Sequence, residues 1–466
     1  MPVSIANPKS IEQGDWVPGK LGRRSLHQPL LGAPADHIDS YLPNNGNLGY
    51  RISRYDLELT YKVATNRLVV TSTITATSFQ QLNSFSLDLA TTMSVARVTV
   101  NGQRVRYTHR RNKLTITPPG VIDPGGALTV IIRCSGNPRP IKGTWGEVGW
   151  EELSEGALCA NQPNGAASWF PCDDHPVSKA SYRFTITTDS PFYALANGVL
   201  QSKRVKAGQT TWVYEQVEPM STYLASVQVG PYRLRELATR PVPVKAVLPQ
   251  RLMSTFDIDF GRQLEMIETF SEMFGPYPFP QYSVVVTDDP LEIPIEAQSF
   301  SIFGANHCDG TRGSERLVAH ELAHQWFGNS VTLARWRDIW LHEGFACYAE
   351  WLWSQHCGGK SADEWASHYY AKLAARPVSV PLSDPGPSQM FEDWVYKRGA
   401  MTLHALRLTI GDGNFFALLR RWTDKYRYGS VTTEDFTTLA AGFSSTSLTG
   451  LWQAWLHQPQ LPPYPR

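Results

Sequence analysis

HELAHQWFGNSVTLARWRDIWLHEG, residues 320–344, decides how the rest of this chain is read. A helix brings residues four apart onto one face, so His320 and His324 can point at a single metal ion. Glu321 follows the first histidine and projects to one side of that face, where it can take a proton from a metal-bound water. Eighteen residues separate His324 from Glu343, which opens a second apolar helical run, WLHEGFACYAEWLW. Two imidazoles and one carboxylate leave a fourth zinc position open for water, the layout of a catalytic site. The pattern predicts a hydrolase core holding one Zn2+ per chain.

At 466 residues the chain is too long for one compact core, and two or three domains are expected. Hydrophobic content of 42% and charged content of 18% describe an ordinary globular protein. A formal net charge of +1 offers no electrostatic footing for nucleic acid or a membrane surface. Fifteen tryptophans and nineteen tyrosines imply a thick core and an aromatic-walled cleft. The first residues, MPVSIANPKSIEQGDW, lack the basic stretch and apolar run of a signal peptide. No segment is apolar for long enough to span a bilayer. Cys134, Cys159, Cys172, Cys308, Cys347 and Cys357 are scattered without a CxxC pair, a pattern of reduced thiols, so a cytoplasmic protein is expected.

Residues 1–45 are rich in proline, glycine and polar residues and are expected to be irregular. From 46 to 238 the pattern alternates with period two, as in Arg54–Lys62, Arg67–Thr77 and Ala127–Cys134, and Asn101-Gly102 is a two-residue hairpin signal. This is an all-β domain, a sandwich or saddle of antiparallel sheets. Pro241 and Pro243 interrupt the run, and 239–466 changes character. A helix is expected over Phe256–Gly275, then a strand YSVVVTDD, an extended piece PIEAQSFSIFG, the helix carrying His320, and mostly helices to the end. Strands first and metal-bearing helices after them describe an α+β zincin domain.

HELAHQW followed by WLHEGFA resembles the gluzincin signature of the M1 aminopeptidases, whose second motif is usually WLNEGFA; His342 stands where the family carries Asn. Three further stretches fall in the family's order. ANQPNGAASWFPCDDHP (Ala160–Pro176) resembles the stretch ending in FPCFDEP, which reaches from the β domain into the active site. Pro294–Gln298, PIEAQ, lies at the place of the GAMEN motif, keeping its glutamate as Glu296, with Ile295 for the Met and Ala297 for the Asn. VYKRGA (Val395–Ala400) is similar to Y-x-K-G-A.

The resemblance implies an all-β saddle followed by a thermolysin-like catalytic domain, in a short form without the family's large helical C-terminal domain. It implies zinc on His320, His324 and Glu343, Glu321 as general base, and Tyr396 beside the developing oxyanion. Glu296 and Gln162 would bind the substrate's free α-amine, and Ile295 would shape the first side-chain pocket. The implied activity is removal of N-terminal residues from peptides with a free amino terminus. Three alternatives stay open: a zinc endopeptidase, an altered hydrolase such as an epoxide-opening one, and a peptide-binding module. Asp338 could orient a ligand histidine or cap the next helix. Side-chain preference and oligomeric state are not encoded in any pattern of this chain.

Overall fold

The computed structural model describes residues 38–464. Of the irregular segment expected over 1–45, residues 1–37 lie outside the described residues, and 40–45 form turns and bends.

The β half is built on one eight-stranded sheet. Its spatial order is Val199–Lys206, Gln209–Met220, Ala180–Asp189, Tyr50–Lys62, Arg67–Ser78, Ala127–Gly136, Met93–Val100 and Gln103–Arg104. All neighbours are antiparallel except Tyr50–Lys62 with Ala180–Asp189, which run parallel. Alternation explains the packing. In Arg67–Ser78 every second side chain, from Leu68 through Val70 and Ile74 to Ala76, is buried, and Leu128, Val130, Ile132 and Cys134 do the same across the ladder. Asn101 (φ 49°) and Gly102 (φ 81°) form the expected tight turn, with Val100 paired to Gln103. A five-stranded sheet (Ile141–Gly143, Gly146–Leu153, Gly156–Ala160, Tyr193–Ala196, Val227–Gly230) and a small three-stranded one complete this half.

The second half has its own mixed sheet, ordered Tyr232–Ala238, Val244–Pro249, Tyr282–Val286, Phe300–Phe303 and Ile295–Ala297. Tyr232–Ala238, which the strand run places before the proline break, pairs here with Val244–Pro249. Tyr282–Val286 is buried along its whole length, as a central parallel strand covered on both faces must be. Ile295–Ala297 is the edge strand, folded back antiparallel on Phe300–Phe303. The expected single extended piece is therefore a hairpin, turning at Gln298 and Ser299, the latter at φ 72°.

The helix expected over Phe256–Gly275 is two: α1 (Met253–Phe260) and α2 (Gln263–Phe274). The break falls at Gly261, a poor helix former, and just before it Asp259 turns to accept the N–H groups of Gly310 and Arg312 at 2.7 and 2.6 Å. Then come α3 (Glu315–Ala323), α4 (Trp340–His356), α5 (Ala362–Ala375), α6 (Asp393–Ile410), α7 (Asp412–Lys425), α8 (Thr433–Ala441) and α9 (Thr449–Trp452), which continues as a wider turn to His457. Helix α5 was not singled out from the sequence, although Ser361 and Glu364 form the reciprocal capping pair that announces it.

Helices α4 and α6 touch backbone to backbone. A Cβ on Gly344 would lie 2.8 Å from the Cα of Gly399, and one on Gly399 would lie 2.7 Å from the Cα of Gly344. The crossing sets the distance between Glu343 and Tyr396, each a few residues from a glycine. Two buried cations tie the remaining parts down. Lys179, from the β half, donates to the carbonyls of Ser330 (2.9 Å), Gly429 (3.1 Å) and Asn329 (3.3 Å) in the second half. Three carbonyls match the three donors of an ammonium, although burial lowers its proton affinity to about 7. Arg398 in α6 donates to five carbonyls between Ala454 and Gln460 and so fastens the last helix to α6.

Gly399→Ala is expected to lower stability by about 1–3 kcal/mol through overpacking, read as a lower urea midpoint at unchanged slope. Gly413→Ala, in α7 with open space around it, serves as the control and should cost nothing.

Candidate metal centre and active site

Helix α3 ends at His324, which keeps helical dihedrals, so His320 and His324 stand one turn apart with ring centroids 4.8 Å from each other. Glu343 enters from the first turn of α4, where the N-terminal end of a helix favours a carboxylate. Its Oε2 lies 3.5 Å from Nε2 of His320 and 3.5 Å from Nε2 of His324.

The other ring nitrogens are engaged. Nδ1 of His324 donates to the carbonyl of Phe327 at 3.0 Å, and since a carbonyl can only accept, Nδ1 carries a proton and Nε2 is the nitrogen left for a metal. Nδ1 of His320 meets Oε1 of Glu350 at 2.7 Å, and Oε2 of Glu350 meets Arg316 at 3.0 Å. Both Nε2 atoms are thus turned toward Glu343. Zinc bonds of about 2.0–2.1 Å put tetrahedral ligand atoms roughly 3.3–3.4 Å apart. The spacings here fit such an ion, and the donor set of two imidazoles and a carboxylate suits zinc.

Glu296, Glu321 and His324 form a second cluster sharing His324, with their ligand-type atoms within 4.8 Å of one another. Oε2 of Glu321 is buried without a hydrogen-bond partner in the described protein, and Oε1 of Glu296 accepts from Nε2 of Gln162 at 2.8 Å. Gln162 lies at the start of a turn in the β half, backed by Asn161, whose side chain accepts the indole N–H of Trp169 at 3.3 Å. The ring of Tyr396 stacks on His320, centroids 6.0 Å apart and planes 20° from parallel. Seven of the eight residues named from the sequence therefore converge. Ile295 is half-buried, and alternation along the edge strand turns it to the face opposite Glu296.

The electrostatics follow from burying carboxylates beside imidazoles. Burial alone would lower both histidines. Glu343 and Glu350 outweigh it and carry His320 up to about 9, while Glu343 and Glu296 carry His324 up to about 10. Glu343 is held far below the usual carboxylate range: the two histidines override a burial that would raise it. Burial pushes Glu321 up to about 7 against the pull of the same histidines, and raises Glu296.

His342, the departure next to Glu343, is buried, and its Nε2 accepts the N–H of Leu333 at 2.7 Å. Burial holds it neutral, pushing it down to about 3. Asp338 does not reach the histidines. It accepts from Thr433 Oγ1 at 2.6 Å and pairs with Arg335 at 3.1 Å, at the start of α8. The residue that does hold a histidine, Glu350, was missed. Its signal was a glutamate two turns beyond Glu343 on the same helix face, inside an otherwise apolar run.

Comparison with known proteins agrees with this geometry. Residues 258–455 match the Peptidase family M1 domain, and residues 52–224 match the Peptidase M1 N-terminal domain. The M1 zinc metallopeptidase from Deinococcus radiodurans is 31% identical and superposes with a TM-score of 0.84, covering 92% of this chain and 99% of that one. The chain belongs to the M1 family of zinc metallopeptidases. Tricorn protease-interacting factor F2 of Thermoplasma acidophilum is 25% identical over 402 residues, 80% of this chain and 49% of that protein. Human endoplasmic reticulum aminopeptidase 1 is 27% identical over 353 residues, 70% of this chain and 37% of the relative. The chain spans about half the length, or less, of these curated relatives.

Glu350→Ala should weaken zinc affinity by about 10–100-fold, the usual effect of removing the partner of a ligand histidine. Competition against a chromophoric chelator measures it. A change under twofold would mean that Glu350 serves packing alone.

Proposed function

We propose that this chain removes N-terminal residues from peptides, with one zinc ion held by His320, His324 and Glu343. The observation that carries the reading is the Gln162–Glu296 pair, joined at 2.8 Å and set beside Glu321 and His324. A carboxylate at that place receives an α-ammonium by a charge-assisted hydrogen bond, and the amide oxygen of Gln162 stays available to accept a second one. An α-ammonium held by the pair, beside Glu321 and His324, presents the first peptide bond to the metal centre. The free edge of Ile295–Ala297 can hold the extended substrate backbone.

When bound, zinc supplies Lewis acidity toward the scissile carbonyl and acidifies a water molecule. Glu321 receives the proton of the attacking water and returns it to the leaving amine; a buried carboxyl raised to about 7 is suited to both steps. Tyr396 donates its phenolic hydrogen to the developing oxyanion. Glu350 keeps His320 oriented, and Phe327 does so for His324 through its carbonyl.

An endopeptidase would need the cleft open where Gln162 and Glu296 meet. The names of relatives, aminopeptidases of yeast, archaea, rice and mammals among them, also support the N-terminal specificity. Among the described residues no helix is long and apolar enough to cross a membrane, and all six cysteines are free, five of them buried. Free thiols support a reducing, cytoplasmic setting.

Glu321→Gln should keep its zinc and lose about 10²–10⁴-fold in turnover of aminoacyl anilides. Full turnover in that variant would remove Glu321 as the base. Glu296→Ala should depress hydrolysis of free-amine peptides far more than that of N-acetylated ones. Equal losses on both would overturn the anchoring role, and preference of the unaltered protein for N-acetylated peptides would favour the endopeptidase.

A further inference from the structure

Between α3, α4 and α5 lies a cavity of about 430 Å³, a volume suited to a small molecule. Its lining excludes His320, His324, Glu343, Glu296, Glu321 and Tyr396 but includes Glu350 and Arg316. The walls are aromatic. Trp351 and Tyr369 stack 5.6 Å apart and 5° from parallel, and Trp365 stacks on Tyr369 at 5.8 Å. The buried indole N–H groups of Trp351 and Trp353 have no acceptor among the described residues.

The cations around this cavity are not equally committed. Arg262 gives three of its five N–H donors to Glu265 and Glu315 and lies 4.7 Å over the ring of Trp353. Arg316 differs: its side chain is 50% exposed, and among the described residues its only acceptor is Glu350. Lys360 sits 4.8 Å from the centre of the Trp365 ring, and Lys372 and Lys397 lie 5.3 and 4.8 Å from that of Tyr369, adding positive charge behind the rings that line the cavity. An aromatic lining favours an aromatic ligand packed edge-on, and a guanidinium with open donors receives a carboxylate.

We propose that this cavity binds a small aromatic carboxylate and that occupancy is felt at His320. The coupling runs through Glu350, which holds Arg316 with Oε2 at 3.0 Å and His320 Nδ1 with Oε1 at 2.7 Å. A second carboxylate on Arg316 draws the guanidinium away from Glu350. Less neutralised, Glu350 pulls harder on the Nδ1 proton, and Nε2 becomes the stronger donor. The coupling rests on His320 being a zinc ligand; the binding does not.

The test uses the zinc-loaded full chain, with zinc content measured first and the active site saturated by an aminoacyl hydroxamate. Calorimetry with 2-naphthoate should show one site per chain, and the neutral isostere 2-naphthamide should bind at least about tenfold more weakly, the worth of one charge-assisted hydrogen bond. Cys357 lines the cavity and is the one exposed cysteine among the described residues. Alkylation with a bulky maleimide should abolish naphthoate binding, and Cys357→Ser treated in the same way should retain it. Naphthoate should also slow zinc transfer to a chelator by roughly threefold, a fraction of what loss of such a partner causes.

Equal binding of acid and amide, binding that survives alkylation, or displacement by the hydroxamate would each overturn the site. Binding without a change in zinc transfer would overturn the coupling. A chain that holds no zinc would instead overturn the catalytic reading, which the zinc measurement reports separately.

Discussion

Two hydrogen atoms on α-carbons govern how this protein assembles its chemistry. Gly344 and Gly399 face each other where α4 and α6 cross, and neither helix could come so near with a methyl group in the way. The residue before Gly344 offers a carboxylate to the metal cluster, and the tyrosine three before Gly399 stacks on a ligand histidine. Helix α3 then has one place to go. Packed against α4, it points both imidazoles at Glu343 and lets Glu350 catch the outer nitrogen of one of them.

The same compactness concentrates negative charge. Glu296, Glu321, Glu343 and Glu350 are buried within a few ångströms of two histidines, with Arg316 as the nearest permanent cation to Glu350. Burial, and to a lesser degree their neighbours' charge, makes Glu296 and Glu321 hold their protons, while the histidines keep Glu343 and Glu350 ionised. A divalent cation relieves that crowding. In the proposed aminopeptidase, so does the ammonium of the substrate, and binding of both ligands draws on one electrostatic deficit.

Much of this was legible in the sequence because the decisive spacings are local. His320 and His324 are one turn apart on any helix, and the apolar run after Glu343 can hardly be anything but a buried helix. Alternation gave the β half its sheets and Asn101-Gly102 its turn. Local pattern fails where long-range contacts decide. Nothing near Gln162 says that its amide will meet Glu296, 134 positions away; that link came from family resemblance alone. Gly261 split a helix that periodicity ran through, since the partners of Asp259 lie some fifty residues on, at Gly310 and Arg312. Glu350 was passed over because a lone glutamate in an apolar helix has no local mark of its partner. The hairpin at Gln298 and Ser299 carries no strong local mark for the same reason: Gln is not a turn former and the Ser hydroxyl is only a weak one.

Lys179 carries a last implication. An ammonium with three carbonyl partners and, among the described residues, no counter-ion is stable only while those carbonyls stay where they are. Swinging the β half away from the loops at 329–330 and 429 would strip it of every partner at once. These contacts resist hinged opening between the halves, and in the proposed aminopeptidase they hold the anchor for the amino terminus in a fixed frame rather than on a closing lid.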